Sequence, residues 1–283
     1  MNLDLFRREN LFAWCVASHD PETVSASDRA SVLSRLGFRA YAWGNRMATS
    51  EHLPRFDREL DELSKRDIRL LGRFIMATPD ESELSKLLDH MIERSVRPQL
   101  WVTGAGAPAH STREQEQRLE EETGRLRPLL SAARARGFRV SLYNHADWFG
   151  EPSNRLALIA RLAGEGFDDV GTVQTLHWAG PYLERMEEVF AALKPHLDAV
   201  VLSGNVPGGC DPTREIRPVG AGSEDVHVLG ALARSGWAGP VGLLNHTTHP
   251  SESRLQDNLD GLAWVVAQLR GEDVPAPDFR TWS

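Results

Sequence analysis

Cysteine is scarce in this chain. Cys15 and Cys210 are the two thiols among 283 residues, with no Cys-x-x-Cys pair between them. This excludes a disulfide framework and a cysteine-based zinc module, and it suits a reducing compartment such as the cytoplasm. Cys15 falls in an apolar run and reads as a small core residue. No stretch reaches the roughly 18 uninterrupted apolar residues of a membrane span. The first ten residues carry charges with no apolar run behind them, so they do not read as a secretory signal. Basic residues are outnumbered, 32 Lys and Arg against 40 Asp and Glu, for a net charge of −8. That balance argues against a nucleic-acid partner, which needs clustered cations to displace counterions.

What is present is an ordinary globular composition, 41% hydrophobic and 25% charged, enough apolar mass for one core of barrel size. Strand-like runs alternate with helical ones along the whole length. The strands are expected at Leu11 to Ala17, Phe38 to Trp43, Ile68 to Ile75 and Gln99 to Thr103, then Arg139 to Tyr143, Val170 to Leu176, Ala199 to Ser203 and Val241 to Leu244. Amphipathic helices follow each, ending with one from about Ser253 to Leu269. Capping-box patterns at Thr78 with Glu81 and at Thr112 with Gln115 mark two helix starts. The turn after the first strand is Ser18-His19-Asp20-Pro21, not the Gly-x-Gly-x-x-Gly of a dinucleotide-binding open sheet. Eight strand-helix units without a composition break predict a single α/β domain over residues 1–283, a closed parallel (β/α)8 TIM barrel with a short tail from about 271.

In such a barrel the chemistry sits at the carboxyl ends of the strands. The fifth strand runs into Tyr143-Asn144-His145-Ala146-Asp147-Trp148-Phe149-Gly150-Glu151, a stretch rich in groups that donate, accept or move protons. Side chains alternate along a strand. If Val140 and Leu142 face the helices, then Ser141, Tyr143 and His145 face the axis. The same parity points Gly171, Val173, Thr175 and His177 inward on the sixth strand, and Gly242, Leu244 and His246 on the eighth. Three histidines from three strand ends therefore converge on one mouth. Isolated histidines are more often surface or capped residues, and His52, His90, His196 and His227 read that way. Around the convergent three, Asn144, Asn205, Asn245 and Arg46 are placed to bind hydroxyls, and Glu151 to act as acid or base. Trp101, Trp148 and Trp178 could stack on a sugar face, or equally pack beneath loops.

The run Leu142-Tyr143-Asn144-His145, continued by Trp148-Phe149-Gly150-Glu151-Pro152, resembles the fifth-strand motif of the xylose isomerase-like TIM barrels, the sugar phosphate isomerase/epimerase group. Phe56-Asp57-Arg58-Glu59-Leu60, the segments 98–103, 170–177 and 239–247, and Asp257-Asn258-Leu259-Asp260-Gly261 extend the likeness over nearly the whole chain. The resemblance implies a divalent metal held by Glu, Asp, His and Glu at strand ends. Here Tyr143 stands at the first Glu, Thr175 at the Asp, Trp178 at the His, and Leu244 or Asn245 at the last Glu. A site without those carboxylates suits Mg²⁺ or Mn²⁺ poorly. No cofactor is therefore expected. A transition metal on His145, His177 and His246 is the alternative, since imidazoles suit such ions.

The resemblance implies proton transfer beside a carbonyl on a sugar or keto-sugar, as in isomerisation, epimerisation or β-elimination. His145 or His177 would be the base, Glu151 a second acid/base, and His246 and Asn144 would polarise the oxygen. The alternative is a non-catalytic carbohydrate-binding barrel that has lost the metal site. The group's nucleic-acid branch, AP endonuclease, needs a metal set and a basic face that this composition does not offer. The expected partner is a small carbohydrate, with no membrane association; a homo-oligomer is compatible with the sequence.

Overall fold

The computed structural model describes residues 1–16, 25–44, 52–75, 80–104, 106–145, 147–208 and 216–282. Its strands are β1 (Leu11–Trp14), β2 (Ala40–Gly44), β3 (Arg69–Ile75), β4 (Gln99–Val102), β5 (Val140–Tyr143), β6 (Gly171–Thr175), β7 (Leu197–Leu202) and β8 (Val241–Leu244). They pair in sequence order, all parallel, and β1 closes on β8 through Leu11 opposite Val241 and Trp14 opposite Leu244. The expected (β/α)8 barrel is the observed one. The helices around it are α1 (Ala26–Arg35), α2 (Leu53–Ser64), α3 (Glu81–Glu93), α4 (Thr112–Ala135), α5 (Asp147–Gly150), α6 (Pro152–Gly164), α7 (Met186–Leu193), α8 (Asp225–Arg234) and α9 (Ser251–Leu269).

Period-two alternation divides the apolar residues into two layers. Val140, Leu142, Val200, Leu202, Val241 and Leu243 face the helices and join the large outer core. Phe12, Trp14, Phe74, Trp101, Tyr143, Val173, Val201 and Leu244 face the axis and fill the barrel. The axis is thus packed, as barrels of this size are. Trp101 fits because β3 has a glycine two residues before Phe74, its register partner: a Cβ on Gly72 would lie 2.6 Å from the indole.

Helix starts differ from expectation by a residue or more. Thr78 lies outside the described residues; Asp80 caps α3, its side chain accepting from Glu83 N at 2.9 Å. Ser111, not Thr112, caps α4 by accepting from Glu114 N at 3.2 Å. In both cases the capping residue has the extended backbone that lets its oxygen reach the third amide,. The helix expected over Pro181 to Leu193 is a 3-10 segment over Gly180–Arg185 before α7 begins. Tyr182 leaves helical backbone there (φ −135°), and its hydroxyl receives Gln174 Nε2 at 3.1 Å. After α9 the chain folds back, and the Asp257 carboxylate accepts from Arg280 N, Thr281 N and Thr281 Oγ1 at 2.9, 2.8 and 2.7 Å. Among the described residues no helix is long and apolar enough to cross a membrane.

Candidate active site

β5 ends at Tyr143, and the chain then turns sharply. Asp147 takes left-handed backbone (φ 63°), and Gly150 passes so close that a Cβ on it would lie 2.1 Å from the His145 carbonyl oxygen. Only glycine allows that approach. His145 is thereby held at the mouth, half-buried. From β6 the chain turns through a 3-10 segment, Leu176–Trp178, which presents His177 and Trp178. The Trp178 ring lies between two imidazoles, 4.7 Å from His145 and 4.7 Å from His177 between centroids. His246, just past β8, completes the group: burial first, then His246 and His145, push the pKa of His177 down to about 4. His177 is therefore neutral near pH 7. All four residues are half-buried.

A buried network holds this mouth from behind. Asn144 Nδ2 donates to the Thr175 carbonyl at 2.9 Å, and Thr175 N–H donates back to Asn144 Oδ1. Arg155 of α6, fully buried, donates to Gln174 Oε1 at 2.6 Å and to the Val173 carbonyl at 3.3 Å, and also to Thr172 Oγ1. Burial pushes the Arg155 guanidinium down to about 10, so it stays charged at neutral pH, held by neutral oxygens. On the far side, the buried Asp225 carboxylate accepts from Asn205 N, Asn205 Nδ2, Gly220 N and Gly222 N at 2.6, 2.7, 2.7 and 3.0 Å. It thus joins both ends of the loop between β7 and α8.

Several residues expected at the ligand stand elsewhere. Asn144 is fully buried with both ends of its amide engaged between β5 and β6, so it shapes the mouth instead of lining it. Asn205 gives its Nδ2 to Asp225 and to the Ser203 carbonyl at 2.8 Å. Trp101 is fully buried in the barrel interior against Phe12, Trp14 and Tyr143. Trp148 packs in the outer core with its Nε1 on Gln115 Oε1 at 2.6 Å. These two are packing tryptophans, and Trp178 alone of the three stands among the histidines. Glu151 opens α6, half-exposed, and its charge acts on Arg155 and Tyr182. Arg46 lies outside the described residues. His90, read as a surface or capped residue, is half-buried and lies 2.8 Å from Asp57 Oδ1.

Three residues were missed or misread. Trp14 faces the axis, and its Nε1 donates to the Tyr143 hydroxyl at 3.0 Å; the spacing of Phe12 and Trp14 on β1 carried that signal. Cys15 packs against the inner core as expected but not as strand: β1 stops at Trp14, and Cys15 is half-buried with φ 60°. Ser203, two residues beyond inward-facing Val201, is fully buried, and its hydroxyl has no hydrogen-bond partner among the described residues.

The donor set does not fit a hard divalent cation. Tyr143 accepts from Trp14, and Leu244 is apolar and belongs to the inner core; neither offers an anionic oxygen. The three-imidazole alternative finds no preformed cluster. Among the described residues no three of His, Cys, Asp and Glu come together as a metal ion would require. A cleft of about 710 Å³ opens at the opposite end of the barrel, by Asp67, Arg69, Ser95 and Arg97, away from the histidines.

No protein-family model and no curated protein matches the sequence. Solved structures do match. A xylose isomerase domain protein from Alicyclobacillus acidocaldarius aligns over 92% of this chain and 100% of its own, with a TM-score of 0.67 and 18% identity. The 3-keto-D-glucoside 4-epimerase YcjR from E. coli aligns over 91% and 99%, with a TM-score of 0.66 and 13% identity. The IOLI protein, solved with a bound zinc atom, aligns over 92% and 98%, with a TM-score of 0.66 and 14% identity. The chain has the fold of the xylose isomerase-like TIM barrels.

Proposed function

We propose that this protein is an enzyme that moves a proton at the carbon beside the carbonyl of a sugar or keto-sugar, as an isomerase, an epimerase or a β-elimination lyase. The observation that carries the reading is the grouping at the carboxyl end of the barrel of His145 and His177 against Trp178, with His246 beside His177. A proton beside a carbonyl needs a base poised near neutrality and hydrogen-bond donors for the oxygen that gains charge. The low pKa of His177 makes it a poor base and a good neutral partner for that oxygen, the role imidazole takes when its pKa is lowered. His145 then takes the proton, and His246 assists it. Trp178 offers the flat apolar face on which a sugar ring rests. Glu151 is a second acid/base on the same turn as His145. The similarity in fold to a 3-keto-D-glucoside 4-epimerase supports the substrate class.

Because the carboxylate positions hold Tyr143, Thr175 and Leu244, which suit a hard divalent ion poorly, the reading assigns the proton transfers to the histidines and Glu151. The test is to incubate the protein with a panel of keto-sugars and ketoses in D₂O and follow deuterium entry at carbon by mass spectrometry. Exchange in the wild type and its loss in His145→Ala are expected. The same three residues favour the second reading, a carbohydrate-binding barrel, which predicts calorimetric sugar binding without deuterium entry.

A further inference from the structure

The floor beneath the histidines is built from hydroxyl groups. Tyr143 on β5 and Trp14 on β1 face each other across the axis with ring centroids 5.9 Å apart, and Trp14 Nε1 donates to the phenol oxygen at 3.0 Å. That oxygen is an acceptor from a fixed donor, so the phenol's own proton must point elsewhere. Its neighbour is Thr175, which lies two residues beyond Val173, the partner of Tyr143 in the β5–β6 register. Ser203 continues the set at the end of β7, with its hydroxyl unpartnered among the described residues. Tyr143 and Thr175 each stand two residues before a histidine of the site, His145 and His177. Tyr143 and Trp14 each keep 4% of their surface open, and the bond between them is buried.

We infer that Tyr143 is a further catalytic residue: its phenol, held by Trp14, donates a hydrogen bond to the carbonyl oxygen of the bound keto-sugar. This rests on the proton-transfer reading above. When His145 takes the proton from carbon, the C–H pair becomes a C=C bond and the carbonyl π pair moves onto oxygen. The Tyr143 O–H stabilises that oxygen while keeping its own proton. Delivery of a proton to the opposite face by the second acid, Glu151, inverts the carbon; delivery to the neighbouring carbon moves the carbonyl, as the hydroxyl proton on the first carbon passes to the former carbonyl oxygen. A phenol whose oxygen accepts a hydrogen bond is a stronger donor, since bonds in a chain polarise one another. Burial holds Tyr143 above the ordinary phenol range, so it stays a neutral donor throughout the working pH range. The inner-face aromatic pair thus does the work of an electrophile where carboxylates and an ion would otherwise stand.

Two readouts with EDTA present test this. One is deuterium entry into a keto-sugar; the other is calorimetric binding of a panel of aldonohydroxamates, whose adjacent oxygens copy the enediolate, against the matching alditols. Tyr143→Phe should lower exchange by on the order of 100-fold, the cost of one lost oxyanion donor. It should weaken hydroxamate binding by roughly tenfold or more and leave alditol binding unchanged. Trp14→Phe should give a smaller loss of both, and it carries the test if Tyr143→Phe fails to fold by circular dichroism. If Tyr143→Phe keeps full exchange and hydroxamate affinity while His145→Ala loses exchange, the Tyr143 assignment falls and the proton-transfer reading stands. If the wild type shows no exchange but binds hydroxamates in a Tyr143-dependent way, the catalytic reading falls and the donor role of Tyr143 stands. A wild type that binds no hydroxamate overturns both.

Discussion

Asn144 and Thr175 exchange two hydrogen bonds, side-chain amide to main-chain amide, where β5 and β6 end. The pair substitutes for ladder bonds just where the two chains diverge toward His145 and His177. Asn144→Ala would leave the buried Thr175 N–H unpaired, while the Thr175 carbonyl keeps Gln174 Nε2 at 3.1 Å. It should destabilise the protein by about 1–3 kcal/mol, the cost of one orphaned buried group. Urea unfolding checks this, and activity should fall through displacement of the two histidines.

The tryptophans should separate by stability and binding. Trp101→Ala and Trp148→Ala empty packed sites and should each cost about 3–5 kcal/mol in urea unfolding. Trp178→Ala should cost little stability but weaken sugar binding by roughly three- to tenfold, the worth of one aromatic contact. Equal stability losses for all three would contradict the placement of Trp178 at an open mouth.

Two buried groups should oppose each other in acid. His177 has its folded pKa lowered to about 4 from 6.5. Between those values the unfolded chain binds the extra proton, so this term makes stability rise with pH. Burial raises the Asp225 carboxyl to about 6 from 3.8, against four N–H groups that pull it down. There the folded chain holds the extra proton, so this term makes stability fall with rising pH over nearly the same window. Each is worth up to about 3 kcal/mol by linkage. Urea midpoints measured from pH 4 to 7 should therefore slope less upward in His177→Gln than in the wild type. An unchanged slope would mean His177 titrates normally.

Calorimetric titration of the protein with Mn²⁺ or Mg²⁺ should show no stoichiometric binding, because Tyr143, Thr175 and Leu244 supply no carboxylate. Tight binding lost on changing one of these three would show the ion sits at the strand ends after all.

The barrel was legible because strand-helix alternation and period-two burial are local signals. Val140 and Leu142 against Tyr143, and Val241 and Leu243 against Leu244, divide between the two layers as parity requires. The histidines were reached by the same parity argument, but each lies past its strand end, and a 3-10 turn presents His177. The polar partners were not. Whether Asn144 faces a ligand or the Thr175 main chain depends on where β5 and β6 part, and no spacing encodes that. Trp101 and Trp178 look alike in sequence, and they differ only because Gly72 on the neighbouring strand leaves a slot for the first.

The closure of β1 onto β8 sets a timetable. Leu11 must wait for Val241, and a ribosome adding ~5–20 residues per second makes that wait roughly 10–50 s. Through that interval one edge of β1 has no strand beside it, and Phe12 and Trp14 have no closed interior to enter. Exposed edges and transiently bare aromatics are what nascent chains aggregate through. Yield during rapid overexpression should therefore depend on chaperones that shield this first strand until the eighth arrives.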